Sequence, residues 1–432
     1  MAFLLSSRKQ AILTLMIGSA LLFLGHGLQV TLLPIRAQNE GFSTTVIGLL
    51  GTAFFAGFAV GCLLGPKVIQ QVGHIRSFAG FAALAAAGIL AFPLLVDPIA
   101  WTLLRAFTGI CFAVLYMVIE SWLNDQATNE MRGAVLSIYI IVTNVVIIGG
   151  QLMVNLEGPQ GYFLFSLIAI LVCLSLVPLC LTNNVTPKPL AQAKVRIGRL
   201  FRISPVGFVG CVIVGLVEGA FWSLGPVFGQ GRGMAISEVT FFMGAFMAGG
   251  TISQWPIGSL SDRIDRRYVI AGCCLVTVAT GLTIAFLETD SRLIMLGLAA
   301  LHGAFMLPVY PLCLAHANDY APTEDLVETS SALLLVYGAG AVIGPVAAAP
   351  LMEHLGLGLL FIFVSGLLGL LALYSAYRAL RRPVADDPDR VEFVPVPRTS
   401  PSVYSLETDD DPLPENDVED AESQDPQSSS NQ

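Results

Sequence analysis

Apolar residues fall in long blocks between residues 11 and 379, broken by short polar stretches. Each block has the roughly 20 residues that a helix needs to cross a hydrocarbon core of about 30 Å. Twelve are legible, at 11 to 33, 44 to 65, 77 to 96, 99 to 121, 133 to 155, 161 to 182, 205 to 228, 237 to 258, 268 to 287, 293 to 315, 330 to 350 and 356 to 379. In lipid a single span can satisfy its own backbone only as a helix, so the pattern predicts an all-α integral membrane protein with twelve transmembrane helices.

Composition agrees. The chain is 55% hydrophobic and 12% charged, against about 25% charge in a soluble domain, which excludes a soluble reading. Arg8 and Lys9 precede a first apolar block too long for a cleaved signal, so that block is expected to remain as an anchor. The eight cysteines, Cys62, Cys111, Cys173, Cys180, Cys211, Cys273, Cys274 and Cys313, have neither C-x-x-C nor metal-ligand spacing. They are expected to act as small apolar fillers, with no metal and no cofactor.

The net charge of -9 changes meaning once divided. Residues 383 to 432 hold fourteen acidic side chains against Arg390 and Arg398, a net of -12, which leaves +3 for the rest. Rich in Pro, Ser, Asp and Glu, this stretch cannot bury enough apolar surface to order itself. It is expected to be a disordered acidic tail, either solvated or recruiting a partner. Between the spans, sixteen Lys or Arg fall on one side and only Arg36, Arg232 and Arg292 on the other. The positive-inside rule then places both termini in the cytoplasm of a multi-pass protein of the inner membrane.

The most basic break, 183 to 204, carries Lys188, Lys194, Arg196, Arg199 and Arg202 and divides the spans six and six. Self-similarity crosses it. A displacement of 192 lays His26 over Glu218, Pro34 over Pro226 and Gly57 over Gly249. At 194, Gly109 meets Gly303, Tyr116 meets Tyr310 and Asp125 meets Asp319; at 198, Tyr139 meets Tyr337. An offset that grows steadily is what loop insertions produce in a duplicated unit. The expected domains are therefore residues 1–182 and 205–380 as six-helix bundles, 183–204 as a basic cytoplasmic linker and 381–432 as the tail. Parallel repeats of this kind enclose a central cavity in transporters.

Several motifs sharpen this. Gly258, Asp262, Arg263, Asp265, Arg266 and Arg267 follow the spacing G-x-x-x-D-R-x-G-R-R, with Asp265 where glycine is usual. The matching break, Pro66 to Arg76, keeps Gly73 and basic residues but has Gln70 and Gln71 for the Asp-Arg pair. Arg105 and Gly109 form R-x-x-x-G in the fourth span, and Gly338, Gly340, Gly344 and Pro345 mark the eleventh. With the strings at Val118 to Ser121, Gln254 to Gly258 and Ala332 to Tyr337, the chain resembles the major facilitator superfamily, in its YcaD-like branch. That resemblance implies the major facilitator fold and a cytoplasmic gate built on Asp262, Arg263, Arg266 and Arg267. The family's antiporters carry the Gly-Pro motif in the fifth span, which here has Asn144, Gly149, Gly150 and Gln151, so the direction of transport stays open.

An ionisable group at mid-bilayer costs about 2.5–3.5 kcal/mol on insertion scales, which makes each one a candidate for function. Arg105 cannot shed its charge; it is read as an anion-binding or proton-modulating group, or as a structural anchor. Glu218 is the preferred proton carrier, and His26 and His302 are further candidates. Glu120, near the basic side, is read as a gate ion-pair partner. Gln29, Asn144, Gln151, Trp222, Gln254 and Tyr310 are candidate cavity-lining groups. Gly57, Gly61, Gly65, Gly340 and Gly344 make small-residue stripes for close helix packing, and the resemblance implies that their helices meet across the two halves.

No H-E-x-x-H, G-x-S-x-G or P-loop is present, so an enzyme is not expected. The expected function is a secondary active transporter working by alternating access and driven by protons. Its expected partners are a small-molecule substrate, protons and membrane lipid, with no nucleic acid, and it is expected to act as a monomer. The alternative is a transporter-derived receptor or sensor that signals through the acidic tail.

Overall fold

The structure is a computed structural model, in which residues 2–127, 129–180, 197–289, 291–322, 325–381 and Phe393 are described. Among these the regular structure is entirely helical. Six long helices precede the central break: α1 (Ala2–Asn39), α2 (Thr44–Val72), α3 (His74–Ala91), α4 (Pro98–Gln126), α5 (Asn129–Leu152) and α6 (Phe163–Cys180). A short helix α7 (Ile197–Ile203) lies inside the predicted linker. The second set is α8 (Pro205–Gly231), α9 (Ile236–Arg263), α10 (Arg266–Phe286), the broken pair α11 (Arg292–Met306) and α12 (Val309–Asn318), α13 (Leu326–Leu355) and α14 (Leu359–Arg381). Residues 183–196 of the predicted linker, and the predicted disordered tail apart from Arg381 and Phe393, lie outside the described residues.

Eleven spans in this set are long and apolar enough to cross a membrane, with α11 and α12 counting as one. The twelve predicted blocks all fall on helices, but α9 is not among the eleven. Its polar and small residues, including Thr251, Ser253, Gln254, Ser259 and Ser261, dilute an otherwise apolar run. One of them serves packing: the Ser253 hydroxyl donates to the Ala304 carbonyl at 2.5 Å. Pro308 lacks the N–H that would have bonded that carbonyl, and the tenth span breaks there into α11 and α12.

Helix ends follow local chemistry. Ser43, Asp97, Ser204 and Asp265 accept backbone N–H groups at the starts of α2, α4, α8 and α10. Several helices outrun the apolar blocks that predicted them, as α2 does to Val72 and α4 to Gln126. Gly73 ends α2 with φ of 91°, a conformation that suits glycine.

Within each half, glycines let backbones touch. Gly57 and Gly61 of α2 lie against Ala106, Ile110 and Ala113 of α4, and Gly65 lies against Met117. Gly340 and Gly344 of α13 lie against Val212 and Leu216 of α8. These five glycines thus seat neighbours of their own half, while the helices that carry them, α2 and α13, do meet across the two halves as the resemblance implied, through other residues such as Thr52 and Val342. The stripe carries small residues because α2 and α4, or α8 and α13, approach too closely for a Cβ. The glycines at the seam between the halves are Gly48, against Pro345 and Ala349, and Gly51, against Ser223 and Pro345.

Candidate substrate and gating site

Hydrogen bonds join the two halves at one end of the molecule. Glu353 accepts the Thr45 N–H at 2.7 Å, the Thr52 hydroxyl donates to the Val342 carbonyl at 2.8 Å, and Gln230 donates to Asn39 at 2.6 Å. Asn155 donates to the Thr240 hydroxyl at 2.8 Å. These ties lie where α1, α8 and α13 end and α2 and α9 begin. The opposite end, where α2, α4, α9 and α12 finish, carries the basic loops and is called the basic face below.

Next to the tied seam sits Arg105, 7% exposed. Its Nε donates to the Leu50 carbonyl at 3.4 Å, its guanidinium lies 4.3 Å over the Phe54 ring, and Nη1 is buried with no hydrogen-bond partner. The other buried arginines, Arg36, Arg266 and Arg267, each face a carboxylate. Among the described residues Arg105 pairs with none, so its charge is held by a ring face and a carbonyl alone.

His26 of α1 stands nearby in an aromatic enclosure, its ring 4.9 Å from Phe112, 5.7 Å from Phe54 and 5.8 Å from Tyr116. Gln29 and Gln151 are 1% and 0% exposed, and the amide atoms of both lack partners. Asn144 is half-buried on α5. The first half therefore brings together His26, Phe54, Arg105 and Tyr116, and it buries Gln29 and Gln151 with their hydrogen-bonding capacity unspent.

The second half holds its carboxylate differently. Glu218 is fully buried and accepts the Tyr337 hydroxyl at 2.8 Å, while Tyr310 packs edge-on to Tyr337 at 4.9 Å. In the first half Tyr139, the repeat mate of Tyr337, donates to Glu120 at 3.1 Å. Each half thus contains a buried tyrosine–carboxylate pair on matching tyrosines, with the acid on α4 in one and on α8 in the other. These tyrosines escaped notice as site residues; their recurrence at the repeat offset was the available signal. His302 is enclosed within the second half, 2.9 Å from the Thr280 hydroxyl and ringed by Phe221, Phe246 and Phe361. Trp222 packs edge-on to Phe246 at 5.5 Å.

At the basic face the loop between α9 and α10 forms a connected network. Arg266, 3% exposed, bonds Asp262 at 3.0 Å, Asp319 at 2.9 Å and the Ser261 hydroxyl at 2.8 Å. Arg267 clamps Asp265 through Nε and Nη2 and donates Nη1 to the Arg378 carbonyl of α14 at 3.1 Å. Asp265 also caps α10 at an ordinary φ of -61°, so this loop has no need of the glycine usual there. Burial alone would raise the Asp265 carboxyl, but hydrogen bonds and charge from Arg267 hold it below the usual aspartate range. Arg263 is exposed. Asp319, seen in the sequence only as the repeat mate of Asp125, and Asp325, bound to Arg199 of α7 at 2.5 Å, join this face as well.

Paired six-helix halves, close-packed on glycine and tied at one end, define a multi-pass membrane transporter fold. The sequence profile of the Major Facilitator Superfamily matches residues 15–245 and 207–406, and the chain belongs to that family. An "Uncharacterized MFS-type transporter" of Enterobacter sp. (strain 638) is 29% identical over 369 residues, 84% of this chain and 94% of that protein. YcaD of Escherichia coli (strain K12), also described as an uncharacterized MFS-type transporter, is 29% identical over 363 residues with the same coverages. Among solved structures, the nucleoside transporter NupG has a TM-score of 0.74 at 13% identity, covering 86% of this chain and 100% of its own. A bacterial homolog of the human lysosomal transporter Spinster, inward-facing and occupied, has a TM-score of 0.70 at 16% identity, covering 89% and 98%. At these identities the two structures speak for the fold.

Proposed function

We propose that this chain is a proton-coupled secondary transporter that moves a small anionic molecule across the inner membrane by alternating access. Residues 1–182 and 205–380 act as its two rocking units, and both termini lie in the cytoplasm. The basic face is then cytoplasmic, the ties at Thr45, Thr52 and Asn39 close the outside, and the conformation is inward-facing. The carrying observation is Arg105: a permanently charged group, buried beside the seam, with no carboxylate among the described residues. Opening the outer side separates Gly51 of α2 from Ser223 and Pro345 and exposes the neighbouring Arg105 site to a ligand. An anionic group supplies the missing counter-charge, and the ring faces of Phe54 and Phe112 accept its apolar body.

Glu218 serves as the proton carrier. Held by Tyr337 inside the second bundle, it binds a proton when it meets one side of the membrane and releases it toward the other. A ligand that binds one state better shifts the population toward it, so anion and proton need share only the conformational equilibrium. The test is a thermal-shift screen of the purified protein against small carboxylates and phosphates, repeated on Arg105→Ala. Stabilising ligands should raise the unfolding temperature of the parent and not of the variant; equal shifts in both remove Arg105 from the site.

A further inference from the structure

Phe393 belongs to the acidic C-terminal stretch, yet it is 9% exposed and packs within the hydrophobic core. Its backbone N–H donates to Asp262 at 3.1 Å, and its ring lies on Gly258, where any Cβ would collide with it. Both contacts fall on the last turns of α9, at the basic face. Between residues 383 and 432 the only aromatic residues are Phe393 and Tyr404, and Phe393, flanked by Val391, Val394 and Val396, gives the acidic stretch an apolar anchor.

The position of the contact gives it meaning. At its far end α9 meets the first half, with Gly244 facing Ile148 of α5. Fourteen residues separate Gly244 from Gly258; at about 100° per residue they lie within about 40° of each other around the helix, and about 21 Å apart along it. Phe393 therefore occupies the side of α9 that looks toward α5, at the end where the bundles must approach to close the basic face. Pro66, the repeat mate of Gly258, offers no such notch, so the seat exists in the second half alone. Charge favours the same occupant, because the stretch of net -12 follows closely on Arg381, at an end where Arg263 and Arg381 are exposed. Eleven residues lie between Arg381 and Phe393, a reach of up to about 40 Å, and tethering keeps the local concentration of the anchor high.

We propose that the Phe393 segment is an intramolecular ligand of the gate: it docks on the Gly258–Asp262 side of α9 and wedges the basic face open, slowing the return to the other state. Releasing it frees Asp262 and the α9 surface for closure. A wedge of this kind makes the acidic tail a regulator of turnover.

The full-length protein in lipid nanodiscs tests this without a known cargo. A benzoylphenylalanine at position 393 should, on irradiation, cross-link to peptides covering residues 254–266; cross-links confined to other regions, or to lipid, overturn the docking. The wedge is read by amide hydrogen exchange in residues 43–50, where the Thr45 N–H is protected by Glu353 across the tied seam. Phe393→Ala and deletion of 382–432 should each raise exchange there severalfold, because releasing the wedge lets the basic face close and the opposite seam part. Exchange unchanged from the parent in both variants overturns the wedge even if the cross-link forms.

Discussion

The two gate loops occupy matching places in the repeat and are built to different strengths. In the second half Arg266 binds Asp262 and Asp319 while almost wholly buried. In the first half the mate of Arg266 is His74, whose Nε2 meets the Ser121 hydroxyl at 3.1 Å, and the mate of Asp262 is Gln70. Among the described residues, one loop is an ion network spanning α9, α10 and α12, whereas the other shows a neutral hydrogen bond between α3 and α4. Duplication kept the backbone path and let the chemistry diverge, and the stronger loop is the one against which Phe393 sits. In the proposed cycle the second half therefore supplies the ion network of the gate, and the first half contributes the weaker contact.

The largest effect should come from breaking that network. Arg266→Ala takes the guanidinium away from the buried Asp319 carboxylate and should cost about 3–5 kcal/mol, whereas His74→Ala should cost about 1 kcal/mol. Thermal unfolding in detergent measures both, and equal losses would dissolve the contrast between the loops. Next come the paired tyrosines. Tyr337→Phe and Tyr139→Phe each remove a hydrogen bond to a buried acid, an expected loss of about 1.5–3 kcal/mol apiece; a response confined to one half would show that the tyrosine–carboxylate pairs are not equivalent.

A smaller shift is expected at the seam. Thr52→Val removes the bond to the Val342 carbonyl, worth about 1 kcal/mol, and should move the balance of states about fivefold away from the tied conformation, measured by amide exchange in 43–50. The smallest effect concerns acid. Because Arg267 lowers the Asp265 carboxyl in the folded protein, its stabilisation is fully present above the ordinary aspartate range near 4 and is lost only as pH falls below it. Protection of the α10 first turn, taken as exchange relative to the intrinsic rate at each pH, should therefore be flat from pH 7 to 5 in the parent, and Asp265→Asn should loosen that turn throughout.

Much of the fold was legible because lipid leaves the backbone few options: an apolar run of span length has to be a helix, so the blocks around Leu22, Phe112 and Leu368 announced themselves. The α9 helix shows the limit, since its Ser253 lowers its apolar character for a reason of packing that composition does not reveal. The break at Pro308 was invisible for a similar reason, its freed carbonyl being satisfied by a serine more than fifty residues away in sequence. Site residues divided the same way. Arg105 and Glu218 stood out as charges in apolar runs, but their partners Leu50, Phe54 and Tyr337 are ordinary membrane residues whose roles appear only once the helices are packed. Phe393 sits in a short apolar run, Val391 to Val396, that the acidity of the stretch as a whole concealed.

The central claim, that two bundles tied at one end rock about the buried Arg105 and Glu218, is most directly tested by paired spin-label distances in proteoliposomes. One pair would report the basic face, at Gln71 and Ile264, and the other the opposite face, at Leu94 and Leu293, all exposed positions. On imposing a proton gradient, the account predicts that the first distance shortens while the second lengthens, and that Glu218→Gln abolishes both changes. Distances that stay fixed, or that move together in the same direction at both faces, would contradict it.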